Sequence, residues 1–219
     1  MGHKIYTIGR EFGSMGLLVG QKLAERLGIK YYDKELLQEA AKSSGFCEEI
    51  FESHDERPSS SFLYSLVMDT YSAGNYTAAP FLDMPLNHKV FLAQFDTIKN
   101  IAEKESCVIV GRCADYALAN TPDVINIFVR ADLQDRIKII SKRLDLTENK
   151  AKDMILKNDK QRASYYNYYT SKKWGDTSSY DLTINTSKIS VDNAVDLILD
   201  FRKYMDEKKV DGIQMPDNK

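Results

Sequence analysis

The feature that most constrains the fold is a short apolar run that leads through glycines into an amphipathic helix. Residues 5–8 (IYTI) are apolar or β-branched and predict a buried strand that ends in a turn. Over residues 16–27 the apolar positions recur at helical spacing, and Gly28 stands where a helix usually ends. Ligands of open α/β sheets bind at the carboxyl ends of strands. The segment GREFGSMG (9–16) is therefore the first candidate for a binding loop.

Further apolar runs predict strands, and the segments between them predict helices. Strands are expected at 107–110, 124–129 and 182–184. Long helices are expected over 87–105 with Asn87 as the N-cap, from Thr147 onward, and from Ser190 to about residue 205. Near-continuous apolar strands separated by helices indicate a parallel sheet covered on both faces. We therefore expect one α/β domain over residues 1–219, a three-layer sandwich with about five parallel strands.

The composition is typical of one soluble domain with nearly balanced charge. Of the 219 residues, 43% are hydrophobic, which is enough for one buried core. Thirty-two acidic against thirty basic residues give a net charge of −2. This balance argues against nucleic acid as a partner, because binding a phosphate backbone usually needs a basic face. No apolar run approaches the roughly 18 residues of a membrane span, so we expect a cytoplasmic protein with no membrane partner.

Cysteine and histidine are too few and too scattered to indicate a disulfide framework or a metal site. The cysteines are odd in number and form no CxxC pair; they are Cys47, Cys107 and Cys113. The histidines form no ligand motif; they are His3, His54 and His88. We expect reduced cysteines, mostly in the core, and no metal held by side chains alone.

The glycine loop lacks the two residues that usually complete a phosphate-binding loop. Its glycines and the following helix N-terminus suit an anion, although a glycine turn on its own is equally consistent with a plain connection. The usual pattern ends in Gly-Lys-Ser/Thr, whereas Gly16 is followed here by Leu17 and Leu18. Arg10 and Ser14 are the nearest candidates to replace the missing cation and hydroxyl.

Four segments, taken together and in order, resemble the cytidylate-kinase-like family of nucleoside monophosphate kinases. They are TIGREFGSMG…LAERLGIKYYDKELL, CVIVGRCADYAL, DKQRASYYNYYTSKKWGD and YDLTINTS, and they span roughly residues 4–205. The resemblance implies a P-loop kinase fold, with a monophosphate-binding insertion at 44–104 and a lid at 146–178. The family's loop usually reads GSGGR or GSGGH, and Met15 and Leu17 depart from that pattern.

The resemblance also implies which residues bind and react. The donor phosphates would be held by the loop and one lid lysine, namely Gly9, Arg10, Gly13, Ser14, Met15, Gly16 and Lys160. The acceptor would be held by Asp33, Gly111, Arg112 and Asp115. Catalysis would depend on the arginines that neutralise charge during phosphoryl transfer, namely Arg10, Arg162 and Arg136. Typical cytidylate kinases have an aspartate before the Gly-Arg pair, whereas this chain has Val110, so no dedicated protein ligand for Mg²⁺ is identified.

The expected function is ATP-dependent phosphorylation of a nucleoside monophosphate, with CMP or dCMP favoured and Mg²⁺ arriving with the nucleotide. Two alternatives stay open. One is a kinase for another small acceptor on the same scaffold, and the other is a degenerate homologue that binds nucleotide without turnover, which Leu17 and Leu18 favour. The partners are expected to be small nucleotides, and the protein a monomer or homodimer. The lid tyrosines are expected to pack rather than to stack on a base, whereas the lid lysines could equally be a solvated helix face.

Overall fold

A computed structural model describes residues 3–33, 35–36, 39 and 85–211 of the protein. The strands are β1 (Ile5–Arg10), β2 (Lys30–Tyr32), β3 (Cys107–Val110), β4 (Val124–Arg130) and β5 (Leu182–Asn185). The helices are α1 (Gly16–Leu27), α2 (Leu86–Lys104), α3 (Ala114–Ala117), α4 (Leu133–Leu144), α5 (Glu148–Thr170) and α6 (Val191–Asp211), and a short 3-10 turn at Thr177–Ser179 precedes β5.

In the described part of the chain, the strands form one parallel sheet in the order β2-β3-β1-β4-β5. Strand β1 lies in the middle, where Ile5 pairs with Cys107 of β3 on one side and with Val124 of β4 on the other. All four residues of β3 are buried, as expected for a strand covered on both faces. The predicted α/β fold, with a parallel sheet of about five strands, is confirmed.

Helices cover both faces of the sheet because successive side chains of each strand point to opposite sides. Val108 and Val110 of β3 pack in one apolar cluster with α1 and α6, through residues such as Leu23 and Ile198. The alternate residues of β3, Cys107 and Ile109, pack in a second cluster on α2 and α3. The carboxyl ends of β1 and β3 therefore emerge together between two packed layers, which is where the candidate site lies.

Several predicted element ends differ from the structure. Helix α2 begins at Leu86, and Pro85 rather than Asn87 takes the N-cap position, with φ −55° and a carbonyl that accepts hydrogen bonds from the first helical amides. The prediction of Asn87 as the cap was wrong because proline already has the backbone angle that a helix start requires. Helix α6 continues to Asp211, past the predicted end near residue 205. Strand β2 was not predicted, since it has only three residues and begins with an exposed lysine.

Part of the predicted organisation lies outside the described residues. Residues 40–84 hold most of the predicted insertion at 44–104, and Cys47 and His54 fall among them. The described part of that insertion is mainly α2, which packs on the sheet. Cys107 and Cys113 are buried thiols outside any disulfide. Among the helices of the described ranges, none combines the length and apolar character needed to cross a bilayer.

Candidate active site

The predicted binding loop lies at the carboxyl end of β1 and leads directly into α1. The φ angles of Gly13 and Met15 are +83° and +62°, in the left-handed region that lets the chain turn sharply before the helix. A Cβ on Gly13 would lie 3.0 Å from Cγ1 of Ile140, so the loop packs tightly on α4. The first amide groups of α1 have no acceptor within their own helix, and such groups suit an anion.

Residues 17 and 18 bring no hydroxyl to this helix start, and the hydroxyl of Ser14 is bonded within the loop. Ser14 is buried, and its hydroxyl donates a hydrogen bond to the carbonyl oxygen of Glu11 at 2.9 Å. Leu17, which is 39% exposed, and Leu18 occupy the first turn of α1. Across the described ranges, no group of three or more His, Cys, Asp or Glu side chains could hold a metal ion. The loop therefore has the backbone form that fits a phosphate.

The side chain of Arg10 crosses from the loop to the end of β3. A Cβ on Gly111 would lie only 2.2 Å from Nη1 of Arg10, so the guanidinium fills the space beside that glycine. Its Nη2 is 4.0 Å from Oδ1 of Asp33, which follows β2. A Cβ on Gly16 would lie 2.6 Å from Cβ of Arg10. Arg10 therefore occupies the space in which any side chain of residue 16 would have to start.

Three consecutive residues with left-handed backbone form the turn after β3. The φ angles of Gly111, Arg112 and Cys113 are +83°, +59° and +54°. This conformation costs roughly 1–2 kcal/mol for each of the two residues that carry a Cβ. Strain of this kind is concentrated at functional sites, and here it brings Arg112 to the wall of the cleft beside the loop. The amide of Gly111 donates to the carbonyl of Ile8 at 3.0 Å, which fixes the turn to the central strand.

Asp115, in the first turn of α3, is paired with a tyrosine of α5. The hydroxyl of Tyr166 donates a hydrogen bond to Oδ2 of Asp115 at 2.6 Å. Burial raises the pKa of Asp115, while the hydrogen bond from Tyr166 and the charge of Lys172 oppose that rise. Burial also raises the pKa of Tyr166, so its hydroxyl keeps its proton at neutral pH. This contact joins the predicted acceptor segment to α5.

Helix α5 also contacts the loop directly. Nη1 of Arg162 donates a hydrogen bond to the carbonyl oxygen of Arg10 at 3.1 Å, and its guanidinium lies 5.5 Å from the ring centroid of Phe12. Arg136 of α4 is buried beneath the loop, where its Nη1 donates to Asp159 of α5 and, at 3.3 Å, to the carbonyl of Phe12. Two of the predicted catalytic arginines, Arg136 and Arg162, thus contact the loop that contains the third, Arg10.

The tyrosines of α5 pack against α2. The ring of Tyr169 stacks on Phe91 with centroids 4.0 Å apart, and the hydroxyl of Tyr165 donates to Gln94 at 3.3 Å. Tyr165 and Tyr169 are buried, which is the packing role expected from the sequence. Trp174, just beyond the helix, contributes to the wall of the cleft.

The loop, the turn after β3 and α5 enclose a cleft with about 420 Å³ of empty volume, open solvent included. It brings together six of the predicted site residues, namely Gly9, Arg10, Gly111, Arg112, Asp115 and Arg162. The other predicted residues lie outside its described lining, namely Gly13, Ser14, Met15, Gly16, Asp33, Arg136 and the exposed Lys160. Sequence reasoning missed Phe12 and Asp159. Asp159 does begin the DKQR segment, but a lone aspartate within a helix gives no sign that it contacts a distant loop.

Comparison with known proteins finds related sequences in one family. A profile of the cytidylate kinase-like family matches residues 5–188. The cytidylate kinase of Staphylothermus marinus is 34% identical over 108 residues, which cover 48% of this chain and 60% of that protein. The cytidylate kinase of Sulfolobus acidocaldarius is 28% identical over 117 residues, which cover 53% of this chain and 62% of that protein. The chain thus spans about three fifths of the length of these curated relatives.

Solved structures share the fold. An uncharacterized protein from Eubacterium ventriosum is 34% identical, with a TM-score of 0.68 over 92% of this chain and 99% of that one. The shikimate kinase of Bacteroides thetaiotaomicron is 11% identical with a TM-score of 0.53 over 91% of this chain and 98% of that one, which shows a common P-loop kinase fold and nothing finer. With the family profile matching most of its length, the chain belongs to the cytidylate kinase-like family.

Proposed function

We propose that the protein transfers a phosphoryl group from ATP to a nucleoside monophosphate, with CMP or dCMP as the favoured acceptor. The observation that carries this proposal is the convergence of Arg10, Arg112 and Arg162 on one cleft beside the glycine loop, in a member of the cytidylate kinase-like family. Phosphoryl transfer depends mainly on positioning and on neutralising charge at the phosphates, and guanidinium groups serve both needs.

Each arginine has a distinct part in this proposal. Arg112, on the strained turn after β3, pairs with the phosphate of the acceptor, for which a planar guanidinium is suited. Arg162 approaches from α5, which docks on the loop through the carbonyl of Arg10. Arg10 replaces the cation that a P-loop lysine usually supplies, because its side chain starts in the loop and its guanidinium lies beside Gly111 at the cleft. The backbone of the loop holds the donor phosphates.

The remaining predicted residues take supporting parts. Arg136 acts through the loop rather than on the substrate, since it is buried beneath Phe12 and bonded to Asp159. Lys160 is exposed on α5 and keeps its predicted role as a contact to the donor. We assign no residue of this chain as a ligand of Mg²⁺, which would arrive with the nucleotide. We also propose that the protein works in the cytoplasm, as a monomer or homodimer, on small nucleotides and not on nucleic acids.

A second candidate function is nucleotide binding without turnover. It is favoured by the two leucines in the first turn of α1 and by the hydroxyl of Ser14, which is directed to the carbonyl of Glu11 rather than toward a ligand. On this reading the loop still binds nucleotide phosphates, but the transition state lacks a cation and the chemical step does not occur.

An ADP-release assay over a panel of nucleoside monophosphates, with and without Mg²⁺, tests the proposal. We expect CMP or dCMP to give the highest kcat/KM. We expect Arg10→Ala to reduce turnover by about 10³-fold, the scale of losing a transition-state arginine. Arg26→Ala is the control, because Arg26 lies on α1 in an exposed ion pair with Asp196. Small hydroxylated acceptors in the same panel test the alternative of another substrate.

Calorimetry with ATP on the same variants separates loss of binding from loss of chemistry. Nucleotide binding without ADP release from any acceptor would establish the second candidate function. The variant Leu17→Lys sharpens this distinction. If Arg10 already replaces the loop lysine, Leu17→Lys adds little activity. If wild-type protein is inactive and Leu17→Lys creates turnover, the proposed role of Arg10 is wrong.

A further inference from the structure

Phe12 is held on its backbone and on its ring by residues of α4 and α5. Its amide donates a hydrogen bond to Oδ1 of Asp159 at 2.7 Å, and its carbonyl oxygen accepts one from Nη1 of Arg136 at 3.3 Å. The guanidinium groups of Arg143 and Arg162 lie 5.7 and 5.5 Å from its ring centroid. Asp159 and Arg136 are also bonded to each other, so the two backbone contacts belong to one network.

The contacts of this network are stronger than ordinary surface interactions. The side chains of Asp159 and Arg136 are only 16% and 8% exposed, so water screens their charges little. The hydrogen bond from the Phe12 amide ends on a carboxylate, and charge-assisted bonds of this kind are roughly twice as strong as neutral ones. Glu11 supports the neighbouring position, since its Oε2 accepts the amide of Ala131 at 2.9 Å.

We propose that Asp159 is a positioning residue that clamps the donor loop through Phe12, so that the loop has its phosphate-binding shape only while α5 is docked. The proposal rests on the proposed function of the loop. Asp159 and Arg162 are three residues apart and therefore lie on the same face of α5, so one docking event makes both contacts to the loop. Docking of α5 thus sets the affinity for the donor and places Arg162 at the same time.

Steady-state kinetics of Asp159→Asn tests the clamp. An asparagine accepts only one of the two hydrogen bonds, because its NH₂ group would face either the Phe12 amide or the donors of Arg136. We expect the donor KM to rise about tenfold, the size of losing one charge-assisted hydrogen bond, while the acceptor KM stays within about twofold. The control is Asp153→Asn, an exposed aspartate on the same helix. A donor KM equal in the two variants would overturn the proposal.

Amide hydrogen exchange measured by NMR gives a readout that needs no activity. We expect the Phe12 amide to exchange slowly in wild type and in Asp153→Ala, and at least about tenfold faster in Asp159→Ala, which removes the side-chain oxygen that this amide bonds. If wild type turns over no acceptor, the proposed function fails and this exchange still decides the clamp. Unchanged exchange at Phe12 in Asp159→Ala would refute the clamp even in an active enzyme.

A second variant keeps the test open if Asp159→Asn does not fold. Phe12→Leu retains both backbone contacts and removes the ring that lies near the guanidinium groups of Arg143 and Arg162. We expect it to raise the donor KM by a smaller factor, about threefold, with the acceptor KM unchanged. We expect Phe12→Tyr, which keeps an aromatic ring, to restore the wild-type donor KM. A wild-type donor KM in Phe12→Leu would show that the backbone contacts alone hold the loop, as the clamp requires, whereas equal rises in the donor and acceptor KM would count against the clamp.

Discussion

Replacing Gly111 with alanine tests whether the path of Arg10 matters, and Gly28→Ala is its matched control. Both glycines have left-handed backbone, with φ of +83° and +63°, so alanine is strained at either position. They differ in their surroundings. A Cβ on Gly28 would meet nothing within 4 Å, whereas a Cβ on Gly111 would lie 2.2 Å from Nη1 of Arg10. A difference between the two variants therefore reports on Arg10.

The structure gives the size of the expected losses of stability and of activity. The backbone strain is roughly 1–2 kcal/mol at either site and lowers Tm by about 2–4 °C for each kcal/mol in a protein of this length. The clash at residue 111 adds little to this backbone strain, because Nη1 of Arg10 lies at the end of a flexible side chain. To regain an ordinary contact of at least 3.4 Å, however, the guanidinium has to move by about 1 Å. A displacement of that size at a reacting group reduces kcat/KM by about 100-fold.

Thermal unfolding and ADP release, measured on the same preparations, provide the assay. We expect similar Tm values for Gly111→Ala and Gly28→Ala, with a loss of kcat/KM only in the former. In an Arg10→Ala background, Gly111→Ala should reduce activity no further, because the displaced group is already absent. If Gly111→Ala keeps kcat/KM within about twofold of the control, the position of Arg10 is not needed and its proposed role is wrong.

Two further predictions concern the other walls of the cleft. Burial raises the pKa of Asp115, so the ionisation of this carboxyl opposes folding at any pH above its ordinary pKa of about 3.9. We therefore expect Asp115→Asn to raise Tm at pH 7, and we expect this gain to vanish as the pH falls toward 4. A gain in Tm that does not depend on pH would show that charge is not its cause. Arg162→Ala should lower kcat by about 10³-fold relative to Lys157→Ala, which changes an exposed residue of the same helix. Equal kcat values in these two variants would show that Arg162 takes no part in the mechanism.

The fold was largely predictable because its central elements carry strong local signals. The runs at 5–8 and 107–110 are continuously apolar, and in the structure they are buried neighbours in the sheet. Strand β2 was not predictable, since three residues with an exposed lysine show no period. The N-cap of α2 was misplaced by two residues, at Asn87 rather than Pro85, because a local cap preference for asparagine competed with a nearby proline.

The contacts inside the site were much less accessible to sequence reasoning. Tyr166 and Asp115 are 51 positions apart, and Phe12 and Asp159 are 147 apart, so no local pattern relates them. The resemblance indicated which segments meet but not which atoms. The sequence around Gly16 indicates a defective loop, whereas the structure shows the side chain of Arg10 in the space beside this glycine. Pairings of this kind depend on the folded sheet and on packing between layers.

The left-handed turn at 111–113 has a consequence for any attempt to make this protein more heat-resistant. Glycine at residue 112 would relax the backbone but would delete the guanidinium from the cleft. Glycine at residue 113 would leave a hole, because Cys113 is buried beside Phe91 and Tyr165. Selection for heat resistance alone would therefore replace the functional residue Arg112 first. Stabilising substitutions should therefore be sought on helices that do not line the cleft. A more heat-resistant variant with glycine at residue 112 is expected to have lost activity.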